Sequence, residues 1–268
     1  EWEKAPCTTL KNRLASKWGT LAPDTVLHFD IQRFDELMNG WDNDPVYGSS
    51  RGLNSMIQNK EVDVIIGGPP CQAYSLAGRI RDQHGMRDDY RNYLFESYIK
   101  VVDATRPKAF IFENVEGMLS AKPGGVPIIE RIAKSFAEIG YFIPDNLRKD
   151  ALVNVADYGV PQNRKRVFIL GLNADFFGEK GIQKRINSFY SDYLHSHQVS
   201  SKKTVSEAIN DLPKLFPIHA SLGSHQEKTR QSHHSGSNSV PNHTPRFHSV
   251  RDQKIFSNTY KWIVTEKI

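Results

Sequence analysis

Three short stretches carry residues whose types and spacing suit covalent chemistry on an electron-poor ring. The first is Gly67-Gly-Pro-Pro-Cys-Gln72, directly after the apolar run Val62-Asp-Val-Ile-Ile66. Two glycines let the backbone approach a ligand closely, and two prolines stiffen the exit from a strand. The thiol of Cys71 is thereby placed where a nucleophile is held. The second stretch is Glu113-Asn114-Val115, after Ala109-Phe-Ile-Phe112. A carboxyl group leaving a buried strand resists ionisation because desolvation disfavours its charge, which makes Glu113 the candidate acid. The third is Gln162-Asn-Arg-Lys-Arg166, ahead of Val167-Phe-Ile-Leu170. Arg164 and Arg166 alternate, so an extended backbone puts both on one face. A thiol that adds, an acid that takes up charge on a ring nitrogen and arginines that hold a carbonyl oxygen match the features of a pyrimidine base. Cys7, in Ala5-Pro-Cys-Thr8, has no such setting and reads as a structural residue on a helix.

These residues need strands to present them, and the pattern supplies strands alternating with helices. Thr25-Val-Leu-His-Phe29 reads as a short strand, and Val62–Ile66 as one buried enough to be nearly continuous in apolar residues. Tyr93 to Ala104 has helical spacing and is followed by Pro107. Ala109–Phe112 is the next strand. Ile128, Ile129, Ile132, Phe136 and Ile139 then mark an amphipathic helix that stops at Gly140. Val167–Leu170 is the last clear strand. This order predicts an α/β fold with a mostly parallel, doubly wound sheet, in which ligands bind at the carboxyl ends of strands. Beyond Ala174 the pattern changes. Residues 191–250 are rich in Ser, His, Pro and Asn, with one helix candidate at Val205 to Leu212. The expected division is a catalytic domain over residues 1–174, then a connector and the start of a smaller, loop-rich domain over 175–268.

The chain resembles the cytosine-C5 DNA methyltransferase family. Gly68-Pro-Pro-Cys-Gln-Ala-Tyr-Ser75, Phe112-Glu-Asn-Val115 and Tyr158-Gly-Val-Pro-Gln-Asn-Arg-Lys-Arg166 stand in the family's order and at family-like spacing. Glu1-Trp2 is similar to the acidic site after the family's second strand, and Asp30-Ile31 to the site after its third, so the resemblance spans about residues 1–171. It implies a Rossmann-like fold that uses S-adenosyl-L-methionine and leaves S-adenosyl-L-homocysteine, with no metal. Cys71 would add to C6 of a cytosine flipped out of double-stranded DNA. Glu113 would bond N3 and the exocyclic amine, while Arg166 and Arg164 would bind the O2 carbonyl. Glu1 would hold ribose hydroxyls with Trp2 packed nearby. Asp30 would accept from the adenine amine, Ile31 would lie against the adenine, and Pro70 and Leu94 would line the pocket.

The implied setting is the modification half of a restriction-modification system, with a cognate endonuclease as partner. The enzyme would be a monomer in the bacterial cytoplasm, on the nucleoid. The family's glycine-rich cofactor loop is expected before Glu1 and its closing blocks after Ile268, so the chain reads as a fragment. Residues 242–252 look like the approach to a target-recognition domain. Two other readings stay open, a cytosine-C5 methyltransferase of transfer RNA and an inactive nucleic-acid-binding relative. A nicotinamide dehydrogenase lacks its Gly-x-Gly-x-x-Gly here.

Composition sets the outer bounds. At 268 residues, 38% hydrophobic and 24% charged, the chain is near the globular average, which excludes wholesale disorder. The charge-free run Val64 to Gly78 is broken by Gly and Pro and falls short of the ~20 apolar residues of a bilayer span. Two cysteines form neither a disulfide framework nor a zinc site, which suits a reducing compartment. His195-Ser-His197 and His233-His234 have no Cys or carboxylate at ligand spacing. Residues 1–174 hold 22 Lys and Arg against 22 Asp and Glu, so the net +5 falls wholly on residues 175–268, with 13 against 8. A basic C-terminal third suits a polyanion, and Lys202 and Lys203 are the adjacent pair expected to meet phosphates.

Overall fold

A computed structural model describes residues 1–19, 25–70 and 94–212. The chain forms two compact units, Glu1–Lys202 and Lys203–Ile268. The first continues past Ala174, where the sequence pattern changes. Of the second, the described part holds a helix at Val205–Ile209, inside the expected span. Thr204 starts it with a capping box, accepting from the Glu207 amide at 3.2 Å while the Glu207 carboxylate accepts from the Thr204 amide at 2.6 Å. Among the described residues no helix is long and apolar enough to cross a membrane.

The first unit is an α/β fold. Its strands are β1 (Trp41–Asp44), β2 (Gly48–Ser50), β3 (Val64–Gly67), β4 (Ala109–Val115), β5 (Tyr141–Phe142), β6 (Leu152–Asn154) and β7 (Lys165–Asn173). The main sheet runs β3-β4-β7-β5, with β6 also on β7. The β3–β4 pair is parallel, as expected for strands joined by a helix. The other described pairs of this sheet all involve β7 and are antiparallel. Periodicity shows that a segment is a strand but not which way it runs, so β7's direction was not visible in the sequence.

β4 alternates so that Phe110, Phe112 and Asn114 are buried together on one face. Two helices cover that face, α4 (Leu94–Thr105) through Tyr98, Ile99 and Val102, and α5 (Ile128–Glu138) through Ile128, Ile132 and Phe136. Phe110 stacks on Phe136 at 4.1 Å between ring centres, and Tyr98 meets Phe112 edge-on at 5.3 Å. Among the described residues the unit's other α-helices are α1 (Lys4–Trp18), α2 (Phe34–Asn39), α3 (Gly52–Ile57), α6 (Ala174–Phe177) and α7 (Ile182–Ser188). The sequence reading missed α7, yet its Ile182 and Ile186 are fully buried in the core. Tyr190, just beyond, closes a gap in the outer edge of β7, where β6 and β5 leave two backbone groups between them. Its hydroxyl donates to the Phe168 carbonyl at 2.7 Å and accepts from the Leu170 amide at 2.8 Å.

Two expectations are corrected. Thr25–Phe29 does not form a regular strand. It lies along Glu1, with the Phe29 amide on the Glu1 carbonyl at 3.0 Å and the Glu1 amine on the Leu27 carbonyl at 3.3 Å. β3 is not buried throughout either. Val64 is 51% exposed and Ile66 73%, because β3 is the outer strand among the described residues and only its Ile65 face meets the core.

A second, smaller core gathers Phe29, Leu37 and Trp41, with Ile31, Tyr47 and Val101 of α4 packed against it. The hairpin β1–β2 belongs to it. Asp44 makes its turn by accepting from the Val46 and Tyr47 amides at 2.8 and 2.9 Å.

The tightest cross-strand approach is testable. Gly171 lies opposite Phe110, and a Cβ there would stand 2.1 Å from the Phe110 ring, which is held between Phe136 and Tyr141. Gly171 has an ordinary backbone angle, so a methyl group costs only the clash. Gly171→Ala is expected to lower stability by about 1–3 kcal/mol, read from the urea midpoint of the intact protein. An unchanged midpoint would show that the ring repacks freely.

Candidate active site

The carboxyl ends of β3 and β4 lie side by side, with Gly67 paired to Phe112, so the next residues, Gly68 and Glu113, are neighbours. A Cβ on Gly68 would stand 2.7 Å from Glu113 Oε2. Only glycine lets this carboxylate come so close to the backbone of the other strand. Gly67 is constrained from below, since a Cβ there would be 2.4 Å from the Tyr98 ring. Tyr98 also braces both strands, its hydroxyl reaching the Ile65 and Ile111 carbonyls at 3.3 and 3.2 Å. Burial drives this phenol well above its usual pKa, which keeps it protonated and a donor. The loop that leads to Cys71 therefore departs from a rigid platform. Cys71 itself lies outside the described residues.

Glu113 is met from the other side by β7. Val115 pairs with Arg166 in the antiparallel ladder, so Arg166 emerges on the face that carries Glu113 two residues earlier. Arg166 Nε lies 3.0 Å from Glu113 Oε1, and its Nη1 donates to the Lys165 carbonyl at 2.7 Å. The Arg166 side chain is 18% exposed and that of Glu113 is 34% exposed. The desolvation expected around Glu113 is thus incomplete, and a guanidinium at hydrogen-bond distance dominates its surroundings. Arg164 is exposed just ahead of β7 and makes no ion pair with Glu113. Of the two arginines, the structure brings only Arg166 to the carboxylate. Asn114 points to the opposite, buried face, where its Oδ1 accepts from the Val115 amide at 2.8 Å.

The residues expected to hold the cofactor form two groups. Glu1-Trp2 and Asp30-Ile31 leave the paired segments next to each other, tied further by His28 Nε2 on the Trp2 carbonyl at 2.9 Å. Asp30 is half-buried, with one carboxylate oxygen accepting from the Gln32 amide at 2.9 Å. Glu1 is exposed, and its Oε1 accepts from the Glu3 amide at 2.9 Å. Trp2 is 51% exposed, and Ile31 packs on the smaller core. Two carboxylates with spare acceptor capacity beside an indole and an isoleucine fit a ribose and an adenine. In the second group, Pro70 is exposed beyond β3 and Leu94 is buried at the start of α4.

Arg33 was missed by the sequence reading. It bonds Glu36 and Asp44 at once, and the Asp44 carboxyl is held down at about 2, first by Arg33 and then by the Tyr47 and Val46 amides. Lys202, expected to face phosphates, is exposed and lies 2.6 Å from Asp157, just ahead of the Tyr158–Arg166 block. Among the described residues no group of three His, Cys, Asp or Glu could hold a metal ion. His197 Nδ1 is engaged by the Tyr193 carbonyl at 2.7 Å.

Comparison with known proteins bears on the family. A Type II methyltransferase of Bacillus paralicheniformis, M.Bpa9945I, is 43% identical over 186 residues, covering 65% of this chain and 39% of that protein. M.DdeI of Desulfomicrobium norvegicum is 36% identical over 206 residues, 73% of this chain and 44% of its own. M1.HphI of Haemophilus parahaemolyticus is 35% identical over 167 residues, 62% and 39% respectively. The chain thus spans about two-fifths of the length of these relatives. The family model of the C-5 cytosine-specific DNA methylases matches residues 42–266, a range that takes in the β3 loop, the end of β4 and the start of β7. With most of its length under that match, the chain belongs to the C-5 cytosine-specific DNA methylase family.

Proposed function

We propose that the intact protein methylates C5 of a cytosine flipped out of duplex DNA, through a covalent bond between Cys71 and C6, as the modification enzyme of a restriction-modification system. The observation that carries this reading is the position of the Glu113 carboxylate, one oxygen against Gly68 and the other on Arg166. A base that enters beside the Cys71 loop would meet this carboxylate along its N3 edge.

The chemistry can be written from the chain's own groups. The Cys71 thiolate forms a bond to C6, and the electrons of the C5–C6 double bond shift towards C4 and N3. Glu113 gives N3 a proton, which leaves a neutral enamine with electron density at C5. Arg166 holds O2 and keeps Glu113 in place through Oε1, so that Oε2 is the oxygen turned to the ring. S-adenosyl-L-methionine, when bound at Glu1, Trp2, Asp30 and Ile31, supplies the electrophilic methyl group. The C5 proton then passes to water, the Cys71 thiolate is expelled as the C5–C6 double bond re-forms, and N3 returns its proton to Glu113. The target cytosine must leave the stack for any of this to occur.

Two experiments on the intact protein test the assignments. Cys71→Ser is expected to abolish methylation and also the covalent complex with DNA carrying 5-fluorocytosine, whose C5 has no proton to release. A trapped complex that survives the substitution would sink the role of Cys71. Glu113→Gln is expected to retain DNA binding but lose ~100-fold or more in rate, the usual scale for a missing acid. Gly68→Ala should give a similar rate loss without touching a reacting group, because its methyl group displaces Oε2. Wild-type rates in both variants would mean that another group protonates N3.

A further inference from the structure

We infer that Arg33 is a positioning residue for the cofactor, clamping the turn that presents Asp30 and Ile31. The inference rests on the reading of that turn as part of the cofactor site.

Arg33 ties together each element that borders the turn. Its own amide donates to the Asp30 carbonyl at 3.1 Å and closes the loop. Nε and Nη2 grip both oxygens of Glu36, in α2, at 2.6 and 2.5 Å. Nη1 reaches Asp44 in the hairpin at 2.6 Å. Asp44 is itself immobilised, because its other oxygen carries the Val46 and Tyr47 amides. The guanidinium carbon lies 4.7 Å from the centre of the Phe29 ring and 5.8 Å from that of Tyr47. Phe29 is the residue before Asp30, and it stacks on Trp41 of the hairpin at 3.7 Å. Arg33 thus holds the turn through the preceding ring, its own backbone, the following helix and the facing hairpin.

Magnitude separates positioning from stability. The Arg33 side chain is 35% exposed and that of Glu36 45%, so that pair contributes little to folding, while Asp44, at 12%, is the more enclosed partner. What a fork of three bonded nitrogens over an aromatic ring does supply is direction, which a lysine ammonium does not reproduce. Pre-organising a binding turn shows up in ligand affinity, since less ordering remains for the ligand to impose.

The test compares Arg33→Met, Arg33→Lys, Asp44→Asn and Asp30→Ala with wild type in the intact protein. It measures KM for S-adenosyl-L-methionine, KM for DNA, kcat, and Kd for S-adenosyl-L-homocysteine, with thermal unfolding as the fold control. Arg33→Met is expected to raise the cofactor KM and the S-adenosyl-L-homocysteine Kd roughly tenfold or more, with kcat and the DNA KM within about twofold. Arg33→Lys should recover little of the loss, and Asp44→Asn should show a smaller shift in the same direction. A folded Arg33→Met with wild-type cofactor KM, while Asp30→Ala loses cofactor, overturns the inference. So does a fall in kcat with unchanged cofactor KM. If Arg33→Met does not fold, the near-isosteric Asp44→Asn decides, and wild-type cofactor affinity there overturns it as well. Wild-type affinity in Asp30→Ala would instead remove the turn from the cofactor site.

Discussion

Glu113 can meet both of its neighbours because it sits at the end of the central strand of three. β3, running parallel, brings Gly68 to one oxygen, and β7, running antiparallel, brings Arg166 to the other. A shift of one residue in either ladder would turn the matching side chain to the opposite face and dissolve the arrangement. The register is held at both ends of the strands. At the other end of the β4–β7 ladder Phe110 lies across Gly171, where no side chain fits, and Tyr98 bridges the carbonyls of β3 and β4 beneath Gly67.

Stability and geometry come from different interactions in this chain. Each fully buried aromatic ring, such as Phe110, Phe112 or Phe136, contributes about 1.5–3 kcal/mol through removal from water. The Glu113–Arg166 pair, open to solvent on both partners, contributes at most ~1 kcal/mol. Arg33 with Glu36 and Asp44 likewise fixes direction more than it adds stability. These ion pairs are weak as glue and strong as constraints, since each has few low-energy arrangements once the core has set its backbone. A functional residue can therefore be replaced at small cost to folding and large cost to alignment.

Much of this was legible in the residues and some was not, for physical reasons. Cys71, Glu113 and Arg166 stand out because glycine, proline and charge beside an apolar strand are costly without a use. The α5 stripe of Ile128, Ile132 and Phe136 is plain periodicity, and so is the alternation in β4. Val64 and Ile66 misled, since an apolar residue does not say whether a neighbour covers it. Thr25–Phe29 has strand composition, which does not by itself supply the regular pairing that a strand needs. The β1–β2 hairpin is mostly polar, and its turn is made by the Asp44 carboxylate rather than by apolar alternation. Arg33 gave no signal, because its value lies in Asp44, a partner that local spacing does not single out. Helix α7 hides in a polar stretch, where Ile182 and Ile186 are the only apolar points of its turn that the core receives.

Methyl transfer requires two sites, one for the base and one for the cofactor, to keep their relative position to well within an ångström, and a misplacement of that size costs about a hundredfold in rate. On the proposed reading the two sites are built on different cores, since β4, which carries Glu113, packs through Phe110 and Phe112 in the larger, and Phe29 and Ile31, on either side of Asp30, pack in the smaller. Helix α4 touches both. Its Tyr98 braces the strands beneath Gly67, its Val102 is buried in the larger core, and its Val101 packs on the smaller one beside Ile31. Adjacent residues of one helix turn thus face the two cores, and a helix does not bend between neighbouring positions without losing its backbone bonds. α4 is then a single rigid spacer, and on the proposed reading the distance between base and cofactor follows from its packing.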